Sequence, residues 1–494
     1  MFKRLLIALA FLALTVPAWA RTATWDGGGG DNLASTAANW DGPDTAPATG
    51  DDVVFDSTST KNCTWDITTN LNTVAVNTGY SGVVTQTANL NVQSGATKTF
   101  SMNAGTWDAA SYTNDVNNID LSGSGTKVLT GGSSLWYVRG NLNMSGANTT
   151  FNYNTCKMYP AATGTVTMQS GVEFYKLSLS NPAGASQTET FATDVIVNNT
   201  LDFCEAGAGA VIPNSNKIFA KGDVKATLAC YPQGTTVVEI SGSAAQTLYA
   251  GGSSGPYGVS FIVNKSGDTL TIPASVIFGN NASSNTFTYT AGTVSVSAGT
   301  TKFYGTWNLN SGSGVVWDTL RIFDVGLGAR TVTLTGNVST GALTNDANMT
   351  LSCGSNTITL TGNFTNNGTF TKGTSTVVFN GTSTVAGATA FYSLTINAGK
   401  TVHLTSTQTF STASGGTFTA TGGTNTLDAT TGGSRANFNV SGSQSVGQLA
   451  ATDIDSSGGN QVHNYVGGAG TNTNTVNWDT TAPATGLYRF FAVF

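Results

Sequence analysis

Residues able to do chemistry are sparse in this chain. There are two histidines, His403 in TVHLT and His463 in NQVHNY. Strand-like and turn-like polar surroundings predict surface or ladder positions for both, rather than a catalytic triad or a metal site. Asp453 and Asp455 in TDIDSSGG lie two apart, which places both carboxylates on one side of a strand. A glycan-cleaving β-helix needs such clustered carboxylates, or a calcium site with a basic partner. The same spacing in a turn-rich segment also suits capping. Outside the first 66 residues the other acids stand isolated along the sequence.

Other motifs fail on context. Gly251–Gly255 fits the nucleophile-elbow pattern, but no strand-to-helix turn surrounds it. Ala398-Gly399-Lys400-Thr401 resembles the end of a phosphate loop, yet Leu394 stands where the first glycine must be. Trp-Asp occurs at residues 25, 40, 65, 107, 317 and 478, too irregularly for a propeller, so a turn or capping role is predicted. Thr-x-Thr begins at Thr269, Thr286, Thr331, Thr357 and Thr417. A regular array would suggest ice binding, but the uneven steps predict that these tripeptides do not stack on one face. The five cysteines (Cys63, Cys156, Cys204, Cys230, Cys353) show no zinc spacing, and only Cys204 and Cys230 are close enough in sequence to suggest a bridge. No catalytic, cofactor-binding or metal-binding residue is therefore assigned, and no cofactor is expected.

Composition narrows the partners. Only 9% of the 494 residues are charged, net charge is −6, and no basic stripe exists, so nucleic acid is excluded as a partner. Hydrophobic residues make up 39% and aromatics 10%, enough for a core. Lys3 and Arg4, the apolar run Leu5–Val16 and the site Ala18-Trp19-Ala20 together read as a secretory signal peptide over residues 1–20. The expected location is secreted or cell-surface. No later stretch is long and apolar enough for a transmembrane helix.

The elements that must position these residues are short strands. Thr331–Gly336 (TVTLTG) and Thr357–Gly362 (TITLTG) alternate apolar and polar residues with period two. Threonine is β-branched and suits an exposed strand face without charge. Longer echoes overlie this texture. EFYKLSLS, PYGVSFIV, VWDTLRIF and AFYSLTIN place apolar anchors at Leu177, Val259, Leu320 and Leu394, and again at Leu179, Phe261, Ile322 and Ile396. Uneven spacing of these echoes fits a solenoid with coils of roughly 20–25 residues that tolerate insertions at the turns. Stacked coils would form a rod on the order of 100 Å, with apolar columns inside and Asn, Ser and Thr ladders at the turns.

Residues 21–66 differ. They hold Trp25, Trp40 and Trp65 with eight aspartates, predicting an indole plug over the open end of the core. The aspartates suit turns, although a calcium site is the alternative for them. The phrase TAPATG follows Asn-Trp-Asp both near the start (Asn39–Gly50) and near the end (Asn477–Gly486), which marks a module boundary. The organisation expected is a signal peptide (1–20), a Trp/Asp-rich cap (21–66), solenoid repeats (67–476) and a C-terminal boundary segment (477–494).

The head segment TWDGGGGDNLASTAANWDGPDTAPATGDDVVFD resembles that of bacterial autotransporter-associated β-strand repeat proteins. The FYxLxI strands resemble filamentous-haemagglutinin-like and autotransporter passenger solenoids. The resemblance is to the passenger region, without the translocator barrel. It implies an all-β, right-handed parallel β-helix on a cell surface in an adhesive or matrix role. The function expected is a non-catalytic structural or adhesive rod whose Thr/Ser/Asn-rich faces contact polysaccharide or cell-surface glycan. The alternatives are a polysaccharide lyase or hydrolase on a β-helix, and an outer-membrane β-barrel ending in the aromatic LYRFFAVF.

Overall fold

The structure is a computed structural model that describes residues 21–41, 45–93, 97–179, 186–203, 205, 211–226, 232–249, 257–326 and 328–481. The signal peptide, Cys204, Cys230, Gly251–Gly255 and the second TAPATG from Ala482 onward lie outside the described residues.

Alternation sets the architecture. Thr357–Leu360 buries Ile358 and Leu360 and turns Thr357 and Thr359 outward. Two further strands, Phe364–Asn366 and Thr369–Thr371, complete the circuit. The chain then returns at Thr376–Phe379, in parallel register on Thr357–Leu360, with Val377 beside Ile358. The circuit recurs as Ser393–Ile396, Thr401–Leu404, Thr409–Thr412, and again as Thr417–Ala420, Asn425–Ala429, Ala436–Val440. The result is a parallel β-solenoid of about 17 turns. At about 4.8 Å per turn it is a rod on the order of 80 Å.

Three sheets wrap one continuous core. The first face in the C-terminal half carries the strands that start each circuit, the second those beginning at Phe364, Ser383 and Thr401, and the third those beginning at Thr369, Thr389 and Thr409. All eight anchor positions read from the sequence are buried. Between Gly258 and Asn310 the strands run on around the corners, and the register shifts where they bend. A polar corner ladder is present: Asn345 donates to Asn366 at 2.9 Å, and Asn366 to Thr389 at 3.0 Å. These bonds link three buried side chains where the chain turns, and leave Asn345 Oδ1 without a partner among the described residues. Cys63, Cys156 and Cys353 are free and buried, and burial pushes the Cys156 and Cys353 thiols up to about 12.

Every pairing among the described strands is parallel except Thr22–Trp25 with Trp40–Asp41. That parallel order overturns the outer-membrane barrel alternative, which needs an antiparallel meander. No helix among the described residues is long and apolar enough to cross a membrane.

The antiparallel exception is the N-terminal cap. Trp40 lies edge-on to Trp25 at 5.1 Å and to Phe55 at 5.9 Å. Phe55 continues the aromatic column to Tyr80 and Trp107. Parallel stacking already begins at Thr22–Trp25 on Asp52–Phe55, so the cap is continuous with the first coils. Trp-Asp works as a unit here. The indole goes inward, and the carboxylate accepts a turn N–H: Gly28 on Asp26 at 2.7 Å, Ser35 on Asp66 at 2.8 Å, Ala110 on Asp108 at 3.0 Å. The two Asn-Trp-Asp copies end their coils alike. Asn39 and Trp40 donate to the carbonyls of Leu33 and Ala34. Asn477 donates to the Ser456 and Gly459 carbonyls, and Trp478 to the Ser456 hydroxyl.

Candidate binding surface

The carboxylates named from the sequence are hydrogen-bonded within turns. Asp453 occupies a bend between Leu449–Thr452 and Ile454–Asp455 with φ of +58°. It therefore does not share a regular strand face with Asp455. Its oxygens accept from Asn474 and from the Gly433 N–H, which hold its carboxyl below the usual range. Asp455 is lowered likewise by the hydroxyl and N–H of Ser457. Acids so engaged are poorly suited to proton transfer near neutral pH. In the head, Asp31 accepts from Leu33, Thr36 and Asn39, and Asp52 from Asn72 and Thr73.

His403 contacts Asp428 on the second face, and His463 sits 3.7 Å from Asp479. Neither pair has a third member: no group of three His, Cys, Asp or Glu that could hold a metal occurs among the described residues.

The mid-chain acids stand isolated along the sequence, but the coils bring them to basic partners. Glu205 pairs with both Lys157 and Lys176, Glu173 with Lys221 at 2.8 Å, and Glu239 with Lys217 at 3.0 Å. Burial pushes the Glu173 and Glu239 carboxyls up, but hydrogen bonds from Asn198 and Lys221, and from Asn264 and Lys217, outweigh it and leave both below the usual range. The Tyr137 and Tyr159 rings lie 5.2 Å apart and tilted by 34°, with Lys157 over Tyr159. These residues form a paired ionic and aromatic patch, four lysines against three glutamates, along successive strands of one sheet. Partners such as Lys157 and Glu205 are 48 positions apart, so no local motif signals them.

The C-terminal half presents something different. On its first face, one outward column runs Ser339, Thr359, Val378, Thr395, Thr419, Ser445. Beside it runs Thr357, Thr376, Ser393, continued by Thr417 and Ser443. The Thr417 N–H donates to the Ser393 hydroxyl at 3.0 Å and joins the two parts. The expectation that the Thr-x-Thr tripeptides do not stack on one face is overturned for two of the five: Thr357–Thr359 and Thr417–Thr419 stand in the same two columns, whereas Thr331–Thr333 lies on the third face. The coils between them supply Ser or Val in place of Thr, and coil length varies, so no fixed step exists in the sequence. A similar array on the third face holds Thr331, Thr350, Thr369 and Thr333, Ser352, Thr371.

No protein-family model matches this chain, and no curated protein or solved structure matches it either.

Proposed function

We propose that this chain is an exported, non-catalytic structural or adhesive rod of the cell surface or extracellular matrix, comparable to autotransporter-type passenger solenoids. It contacts glycans through its Thr/Ser/Asn-rich faces. One observation carries this reading: the outward columns of the C-terminal half are continuous, polar and nearly uncharged. Each hydroxyl makes a weak contact, and a rod that repeats it along one face sums many such contacts on an extended ligand. In support, Asp453 and Asp455 are held in turns, and Glu173, Glu205 and Glu239 in ion pairs.

The test mixes the purified chain with soluble and insoluble polysaccharides, with and without calcium, and follows depletion of protein and release of new sugar ends. Depletion without new ends is the expected result. New ends would replace this reading with a glycan-degrading enzyme, and no depletion by any polysaccharide would remove the adhesive role.

A further inference from the structure

The first face of the C-terminal half has a property that glycan adhesion does not require: it is periodic in two directions. Side chains of one column repeat once per coil, about 4.8 Å, and the two columns lie two residues apart along each strand, about 6.6 Å. Both spacings are close to oxygen repeats on a prism face of hexagonal ice. Five coils carry both positions, as Thr357/Thr359, Thr376/Val378, Ser393/Thr395, Thr417/Thr419 and Ser443/Ser445. Nine of these ten side chains bear a hydroxyl, and Val378 keeps the methyl of a threonine.

The chemistry of the face narrows its ligand. The strands Thr357–Leu360, Thr376–Phe379, Ser393–Ile396, Thr417–Ala420 and Ser443–Val446 contain no charged residue. Their only aromatics, Phe379 and Phe418, point inward and are fully buried. These strands offer no charge complementarity to an ionic partner. Thr359, Thr376, Thr395, Thr419 and Ser445 make no side-chain hydrogen bond to any described residue, so their hydroxyls remain available to water. The backbone beneath is fixed by parallel ladders on both sides of the first four strands, and on one side of Ser443–Val446, whose far edge has a single bridge from Val446 to Asn464. Bridging waters held by such hydroxyls inherit the spacing of the coils.

We propose that this double hydroxyl column is an ice-binding face, which orders first-layer water into register with a crystal lattice. This goes beyond glycan adhesion and assigns one face of the rod to a neutral, flat, two-dimensional ligand. Crystalline polysaccharide is the competing occupant, and the test separates the two.

The full chain is placed around a slowly growing ice hemisphere, and its partition into ice and its effect on crystal shape are measured. Thr395→Tyr and Thr419→Tyr put a bulky ring in the middle of the array from outward positions, and Thr365→Tyr does the same on the adjoining second face. Circular dichroism melts confirm that each variant folds. The expected result is faceted ice and enrichment of the wild-type chain and Thr365→Tyr in the ice. Thr395→Tyr and Thr419→Tyr lose at least about tenfold of that enrichment, because a lattice contact depends on many sites acting together. Exclusion of the wild-type chain from ice, or equal enrichment of all four proteins, overturns the proposal. So does a Thr395→Tyr variant that loses binding to insoluble polysaccharide while the wild-type chain leaves ice unshaped.

Discussion

Replacing Glu189 with glutamine is expected to stabilise the rod at neutral and alkaline pH and to remove much of its pH dependence. Glu189 is fully buried in Gln187–Phe191, between the inward neighbours Gln187 and Phe191. Its neighbours in adjacent coils are Gly164 and Pro213, neither of which offers a side-chain donor. Both carboxylate oxygens lack a hydrogen-bond partner. Burial without a partner disfavours the charged form and pushes this carboxyl up to about 9. Below about pH 4.5 both folded and unfolded states hold the proton, and the residue is neutral to stability. As pH rises the unfolded chain releases its proton while the folded chain keeps it. Stability then falls by about 1.4 kcal/mol per pH unit until the folded carboxyl also ionises. At pH 7 the loss is about 3 kcal/mol. Glutamine keeps the shape and carries no charge at any pH. Thermal melts at pH 4 should therefore coincide for the two proteins, and at pH 8 the variant should melt several degrees higher. Equal destabilisation by Glu189→Gln at both pH values would show that the carboxylate has a partner.

The second large effect is expected at Trp107. Its ring lies 4.9 Å from Phe100, 5.5 Å from Trp65 and 6.4 Å from Phe55. Its indole N–H donates to Gln86 at 3.1 Å inside the core. Trp107→Ala opens a cavity and strands the Gln86 oxygen, at a combined cost of about 3–5 kcal/mol or more. Stability in a solenoid is a sum of coil and neighbour terms, so the loss should stay local. Hydrogen exchange should show the coils around Trp65, Phe100 and Trp107 losing protection while those from Thr357 to Val446 keep theirs. Uniform loss along the whole rod would contradict this nearest-neighbour account.

Inward-facing residues were the legible part of the sequence. Leu177, Leu179, Leu394 and Ile396 announce the core because alternation and the following turn are local signals, and all four are buried. The Trp-rich cap was legible for the same reason, since Trp25, Trp40 and Trp65 fall within one short segment. What faces outward was hidden, because it depends on which residues stack in the next coil. Thr376 stands 19 positions after Thr357, Ser393 17 after Thr376, and Ser443 26 after Thr417. No single period in the sequence exposes such a column. The ion pairs of the lysine–glutamate patch escaped for a related reason: Lys157 reaches Glu205 across an interval that the sequence fills with four further strands. Asp453 and Asp455 misled in the other direction. A left-handed residue at Asp453 breaks the strand on which their shared face was predicted.

The most direct test of the account is binding of the full chain to insoluble polysaccharide as a function of salt. Uncharged hydroxyl and amide columns should bind equally well from about 50 mM to about 1 M salt, because screening acts only on charge. No new sugar ends should be released at any salt concentration. Binding that collapses as salt rises would assign the contact to the lysine–glutamate patch instead, and new sugar ends would contradict the non-catalytic reading outright.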